Sequence, residues 1–499
     1  RRQTEQPPFL RPSAIDDVML LFATALCFAG ILVGERKDED AARDAALRVL
    51  SRTTLRSLEG FAPRGEIDGL SALQQPRDRS FARHLVSTTE RRLGEIDSLL
   101  AMYYQDAELL WWRKGARRAS RRRATLTALR LGAAQLLYCD GVPARAAVHA
   151  TVEATKRAGG NAKVVNGVLR AIQRDNQGGG KSDLPPPKPD GGSPSEANAS
   201  PWLVGNSALS EEETRRYLEI AATSTPSLDL SSLFTPPSLG GGVTLPCGSV
   251  RTSGAFDERF GKGAWAQDAA ASVAARCVPP GGSVLDMCAA PGGKTAQLAA
   301  SGAFSRIVAT DVSRKRLDRL RGNLERLGLA DLVDLRREDA TKASDDELFD
   351  AVLLDAPCSC SGTARRRPEV LRKTTFGDLL ETQANLLDAG LKKLKPGGTL
   401  VYSTCSILRP ECQDHLASFS PRRDDASYYE RWPFEEAPAG FHADALTDDG
   451  DLMILPWHLL LKLNEEDSES SSSSEDSESS QHEQQQDPYC DAHYVARLQ

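Results

Sequence analysis

Two cysteines stand where a chain could put them to chemical use. Asp355-Ala356-Pro357-Cys358 and Tyr402-Ser403-Thr404-Cys405-Ser406 each close a short apolar run with the texture of a β-strand. A cysteine at a strand end is ordinarily a small buried hydrophobe. Two of them after neighbouring strands, one led in by Asp-Ala-Pro, point to chemistry instead. Cysteine is nucleophilic even with only a few per cent thiolate at neutral pH. Carbon 5 of cytosine is a poor nucleophile, but addition of a thiolate to carbon 6 makes it enamine-like and able to attack a methyl donor. A carboxylate near the base, for which Asp355 is placed, can hold or protonate N3. A second thiol can assist the elimination that frees the product.

A methyl donor needs its own site. The run Val284-Leu285-Asp286-Met287-Cys288-Ala289-Ala290-Pro291-Gly292-Gly293-Lys294-Thr295 reads as a strand, a Gly-rich turn and the start of a helix. Glycines let the backbone approach a ligand, and a helix N-terminus offers free N–H groups. The next strand ends in Asp311, where a carboxylate can take both hydroxyls of a ribose. A Gly-rich turn alone is common to many nucleotide binders. This one lacks the GxxxxGKS spacing of a phosphate loop, and with Asp311 it favours an adenosine-type ligand.

These segments need a scaffold that aims them at one place. From Ser283 the chain alternates short apolar runs (283–287, 306–311, 332–336, 349–355, 399–403) with helical patterns near 294–300, 314–327 and 378–394. That alternation predicts an α/β, Rossmann-like domain over 276–499 with a parallel doubly wound sheet, whose ligands bind beyond the carboxyl ends of the strands. Residues 38–175 show apolar residues at helical spacing, broken at Gly141-Val142-Pro143 and Gly159-Gly160-Asn161, and read as an all-α domain. A Gly-, Pro- and Ser-rich stretch at 176–200 reads as a flexible linker, and 201–275 as a connecting subdomain.

The formal net charge of −7 does not exclude a nucleic-acid partner, because the tract 465–480 holds seven carboxylates and no base. That Ser-rich acidic tract reads as a disordered insert at 464–489, ahead of a last strand at His493–Leu498. The ten cysteines are scattered, and no CxxC pair or His-rich cluster has zinc spacing, so reduced thiols and no structural metal are expected. Val18–Val33 is an uncharged apolar run, short for a membrane span and near the length of a signal-peptide core. Residues 1–37 are therefore expected to be a targeting prefix. No stable membrane association and a monomeric state are expected of the mature form.

Two basic runs suit phosphate. Arg365-Arg366-Arg367 lies between the cysteine segments and is expected to touch phosphate, the alternative being a solvated surface run. The other comprises Arg113, Lys114, Arg117, Arg118, Arg121, Arg122, Arg123 and Arg130, with Trp111-Trp112 adjoining. It is expected to form an RNA-contacting face centred on Arg117, Arg118, Arg121 and Arg122, against the alternative of a solvated helix face.

The motifs LDMCAAPGGKT (285–295), ATDVSRKRLDRLRGNLERLG (309–328), DAPCSCSGTARRRPE (355–369) and LKPGGTLVYSTCS (394–406) resemble the Fmu/Sun-type RNA cytosine-5 methyltransferases. The segments 129–157 and 163–174 are similar to the NusB-like helical domain that precedes the catalytic domain in the small-subunit (16S-type) ribosomal RNA enzyme. The resemblance implies S-adenosyl-L-methionine as cofactor and ribosomal RNA as partner. It implies that Cys288, Ala289, Ala290, Pro291, Gly292, Gly293, Lys294 and Asp311 hold the cofactor, with Asp339 by the adenine and Asp355 near the methionyl end. It makes Cys405 the nucleophile and Cys358 the thiol that helps release the product. In DNA cytosine-5 methyltransferases the nucleophile is instead the cysteine of the Pro-Cys motif. Three features depart from the family pattern: a thiol at Cys360, Ala492-His493 inside the closing strand, and the acidic insert. The last two, with the apolar prefix, imply an enzyme sent to an organelle with bacterial-type ribosomes.

Overall fold

The computed structural model describes residues 38–57, 70, 72–104, 120–176, 194–223, 228–232, 243–244, 250–252, 263–342, 347–418, 429–460 and 489–499. The prefix at 1–37, Arg117 and Arg118, most of the linker and nearly all of the acidic insert lie outside the described residues. The chain divides into two compact units, one carrying residues 63–187 with the N-terminal helix and one carrying 188–499.

The first unit is helical: α1 (Asp38–Ser57), α2 (Pro76–Arg91), α3 (Leu93–Tyr103), α4 (Ser120–Tyr138), α5 (Ala144–Arg157) and α6 (Ala162–Asn176). Helix α4 is its axis, with Ala128, Leu129, Leu131, Ala133 and Ala134 all buried. Gly132 permits the closest approach, since a Cβ there would stand 2.3 Å from Leu169 Cδ1 on α6. Within this unit Arg130 forks onto Asp97, Nε and Nη2 each 2.7 Å from a carboxylate oxygen. Both side chains are buried, so Arg130 belongs to the core and not to the expected basic face.

In the second unit, α7 (Pro201–Gly205) and α8 (Glu211–Thr223) lead to a small sheet of β1 (Leu228–Ser232), β2 (Val243–Thr244), β3 (Val250–Thr252) and β4 (Ala264–Ala266). The linker expected over 176–200 ends early. Pro194–Asn198 form a 3-10 turn, and Ser200 caps α7 by accepting from Leu203 N–H while its own N–H donates to Leu371 O at 2.9 Å. Short polar side chains at the end of a linker-like run are good N-caps, and capping wins here over flexibility.

The main sheet has seven strands: β5 (Ser283–Met287), β6 (Arg306–Thr310), β7 (Val333–Arg336), β8 (Phe349–Asp355), β9 (Leu394–Thr404), β10 (Leu452–Ile454) and β11 (His493–Leu498). Their order is β10-β11-β9-β8-β5-β6-β7. Strands β5 to β9 run parallel, while β11 joins β9 and β10 joins β11 antiparallel. Alternate residues feed two cores, one on each face. Leu285, Met287, Val352, Leu354, Leu400 and Tyr402 pack on one side, and Val284, Ala351, Leu353 and Val401 on the other. Burial of both faces explains why these strands read as continuous apolar runs. Helices α9 (Gly293–Ser301), α10 (Arg314–Leu327) and α11 (Leu379–Lys392) cover the sheet. Among the described residues no helix is long and apolar enough to cross a membrane.

Candidate active site

Strand register puts the chemical segments at one edge. Met287 pairs with Leu354, and Asp355 with Ser403, so the loops starting at Cys288, Ala356 and Cys405 leave the sheet side by side. The strand order reverses between β8 and β5, and that reversal opens the crevice in which such sheets bind ligands.

The glycine loop forms one wall. Gly292 has φ +103°, and a Cβ there would lie 2.7 Å from Leu320 Cγ, so only glycine fits. The loop is pinned by Ala289 N–H donating to Thr310 O at 3.0 Å and by Asn323 Nδ2 donating to Pro291 O at 3.1 Å. Lys294, in the first turn of α9, pairs with Asp355 at 2.8 Å. Burial works against the Lys294 charge, but Asp355 and then the Cys405 sulfur outweigh it and raise the pKa above the usual lysine value. Asp311 is buried; its Oδ1 accepts Ser313 N–H at 2.8 Å and pairs with Arg316 at 2.9 Å. Its Oδ2 is buried without a hydrogen-bond partner, an acceptor that a ribose hydroxyl would satisfy. The residues present therefore fit an adenosine-type cofactor. Asp339 closes its own turn, accepting from Thr341 Oγ1 at 2.7 Å and pairing with Lys342 at 2.9 Å. Those two hydrogen bonds, Thr341 foremost, lower its pKa.

The thiols form the opposite wall. Cys358 Sγ and Cys405 Sγ stand 3.4 Å apart, both half-buried and free, and Cys360 Sγ completes a group whose sulfurs all lie within 4.8 Å of one another. Cys358 is pushed well above the usual thiol pKa, first by its contact with Cys360 and then by that with Cys405 and by burial. For Cys405 the Cys358 contact favours the thiolate, yet Cys360 and burial together push it up as well. Cys360 is shifted the other way, lowered first by its contact with Cys358 and then by that with Cys405.

Sequence reasoning missed what holds these loops in register. Glu411, fully buried, accepts from Ser359 N–H at 2.7 Å on the Cys358 loop and from Ser406 Oγ at 2.5 Å beside Cys405. Gln383 on α11 donates to Glu411 at 3.2 Å and to Pro357 O at 2.9 Å. Burial raises the Glu411 pKa. Tyr217 on α8 donates to Ser361 O at 2.6 Å, so the connecting segment also buttresses the cysteine loop. Gly362 donates to Cys405 O at 3.0 Å, and a Cβ on it would lie 2.3 Å from Ala492 O. No signal in sequence marks Glu411, an acidic residue in the polar stretch Arg409-Pro410-Glu411-Cys412-Gln413-Asp414 that could equally face solvent.

The expectation that Arg365 meets phosphate is corrected, while Arg366 stays exposed. The Arg365 side chain is 1% exposed and pairs with buried Asp268 at 3.1 Å; Arg366 pairs with Asp491, ahead of β11. Burial opposes ionisation of Asp268, but Arg366 and Arg365 hold its carboxyl low, while burial and the Asp268 charge push Asp491 up to about 6. A buried charge needs a partner, and Asp268 gives Arg365 one, whereas the Arg366 side chain pairs with Asp491 and remains 38% exposed. Arg121 and Arg122, by contrast, are exposed on the first turn of α4.

A doubly wound sheet with a glycine loop, a ribose-ready aspartate and thiols across the crevice defines an S-adenosyl-L-methionine-dependent methyltransferase. Residues 278–456 match the family described as 16S rRNA methyltransferase RsmB/F, and residues 40–174 match the NusB family. A "Ribosomal RNA small subunit methyltransferase B" of Xanthomonas campestris pv. campestris is 32% identical over 419 residues, covering 78% of this chain and 90% of the relative. The protein of the same name from Shewanella oneidensis is 34% identical over 58% of this chain and 72% of its own. The crystal structure of PH0851 superposes with a TM-score of 0.62 at 20% identity, over 91% of this chain and 98% of that one, a likeness of fold. The chain belongs to the RsmB/F family of RNA methyltransferases, with a NusB domain ahead of its catalytic domain.

Proposed function

We propose that this protein methylates carbon 5 of a cytosine in small-subunit ribosomal RNA through a covalent adduct on Cys405. The observation that carries the reading is the 3.4 Å approach of Cys358 and Cys405 on adjacent strand-tip loops, facing a Lys294–Asp355 pair 2.8 Å apart. When bound, S-adenosyl-L-methionine supplies an electrophilic methyl group. Its ribose falls to Asp311, and the loop from Cys288 to Lys294 borders it. Cys405 adds to carbon 6 as thiolate, with the Lys294 ammonium near its sulfur to favour the charged form. Asp355, oriented by Lys294, holds the N3 edge of the base. After methyl transfer to carbon 5, Cys358 takes the carbon 5 proton, and the Cys405–carbon 6 bond breaks to return the thiolate. The exposed arginines at the start of α4, Arg121 and Arg122, supply phosphate contacts.

Cys405→Ala is expected to lower methyl transfer to small-subunit RNA by more than about 10³-fold, as loss of a nucleophile does. Cys358→Ala should accumulate an RNA–protein adduct that survives denaturing electrophoresis. If Cys405→Ala methylates cytosine at near wild-type rate, or the adduct builds up in Cys405→Ala instead, the assignment of roles is wrong. Bisulfite sequencing of the product RNA locates the modified base.

A further inference from the structure

Cys360 has no part in the reaction above, yet its sulfur belongs to the same cluster. Its backbone turns left-handed at φ +60°, and its S–H donates to Cys358 O at 3.6 Å. A positive φ at a β-unbranched, non-glycine residue is uncommon, and here it coincides with a functional loop. The result is a face of three free, half-buried thiols, all Sγ atoms within 4.8 Å of one another.

That spacing has a chemical meaning. Zinc–thiolate bonds of about 2.3 Å in tetrahedral geometry set neighbouring sulfurs about 3.8 Å apart. The Cys358–Cys405 distance of 3.4 Å and the 4.8 Å limit of the group bracket that value. A set of three sulfurs selects soft or borderline cations and rejects magnesium and calcium, which require oxygen ligands. The loop is also held in place beforehand. Ser359 and Ser361, on either side of Cys360, hydrogen-bond to each other and to Ser406, which rests on Glu411. Little ordering is left for a ligand to impose. A dication on three thiolates leaves one net negative charge, which suits the nearby Lys294 ammonium.

We propose that Cys358, Cys360 and Cys405 form a binding site for a thiophilic cation of the zinc class, whose occupancy blocks methyl transfer. Each sulfur binds as thiolate: every S–H that still carries a proton releases it to solvent as its metal–sulfur bond forms, with no change of oxidation state, and the fourth position stays open to solvent. Affinity rises with pH because each ligand must shed its proton. Binding rests on the geometry alone. Inhibition rests on the roles proposed for Cys405 and Cys358, since it is their sulfur lone pairs that the cation takes.

The test uses the full chain, reduced, desalted and treated with chelator, with its thiols counted. Titration with cobalt(II) should give a near-ultraviolet thiolate-to-metal charge-transfer band saturating at one equivalent and bleached by zinc. Cys360→Ser should weaken zinc binding at least tenfold in competition with a chromogenic chelator, and Cys405→Ser should do the same. Thermal melting shows whether each variant is folded. Should Cys360→Ser misfold, the same zinc competition on wild type at pH 6.5 and 8 decides, with binding at least tenfold tighter at pH 8 expected. One equivalent of zinc should abolish wild-type methyl transfer, and chelator should restore it. A missing charge-transfer band, a folded Cys360→Ser that binds zinc like wild type, or wild-type affinity independent of pH overturns the site. A band that saturates normally while methyl transfer continues leaves the site intact and overturns the roles given to Cys358 and Cys405.

Discussion

Two arginine runs look alike in sequence and end in different surroundings. Arg121-Arg122-Arg123 begins α4 with its side chains exposed, whereas Arg365-Arg366-Arg367 sits beside the cysteine loop with its first member buried. The difference lies in what the fold brings to each. Asp268 and Asp491 come from distant parts of the chain to meet Arg365 and Arg366, whereas Arg121 stands exposed on the first turn of α4. A run of charge therefore says that partners are needed, and topology decides whether they are carboxylates or phosphates. The first run is exposed; the second ties the cysteine loop to the segment before the last strand.

The comparison breaks most readily at Asp268. Asp268→Ala leaves Arg365 buried beside one aspartate that burial already pushes towards neutrality, and should cost about 3–5 kcal/mol of unfolding free energy. Urea denaturation measures it, and a loss under about 1 kcal/mol would place Arg365 among surface charges after all.

Next comes His493, in the same buried region. Burial holds its imidazole down to about 4, so the native state stays neutral where the unfolded chain, near 6.5, takes up a proton. The folded pKa lies below the unfolded one, so the stability it accompanies is complete above pH 6.5 and is lost as pH falls towards 4. Between pH 7.5 and 5, wild type should therefore lose up to about 2 kcal/mol more than His493→Gln. Equal losses in the two proteins would mean that the imidazole is solvated.

The smallest effect belongs to the exposed run. Arg121→Ala with Arg122→Ala should leave unfolding within about 0.5 kcal/mol of wild type. It should also reduce the slope of log affinity for RNA against log salt by about one to two. An unchanged slope would assign this face to solvent.

Much of the catalytic unit was legible because its strands are buried on both faces and its loops carry unusual residue types. The final strand, His493–Leu498, has the bounds read from sequence. What stayed hidden depended on pairing across the chain. The antiparallel edge, the insertion of Ser200 under Leu371 and the Glu411 brace all join residues far apart in sequence, and no local period announces them. The three-thiol cluster escaped for the same reason. Cys358 and Cys360 supply two sulfurs from one loop and Cys405 supplies the third from another, so no zinc spacing exists along the chain.

The amino-acid order by itself determined that a parallel sheet would carry a glycine turn, an aspartate and two cysteines to strand ends, because apolar runs and turn residues act locally. Only the tertiary structure decided that those cysteines face each other at 3.4 Å with a third beside them, and that one arginine run sinks its first member into the core while the other stays on the surface. Distances between loops follow from strand register and from buried ion pairs, and both are properties of the assembled fold.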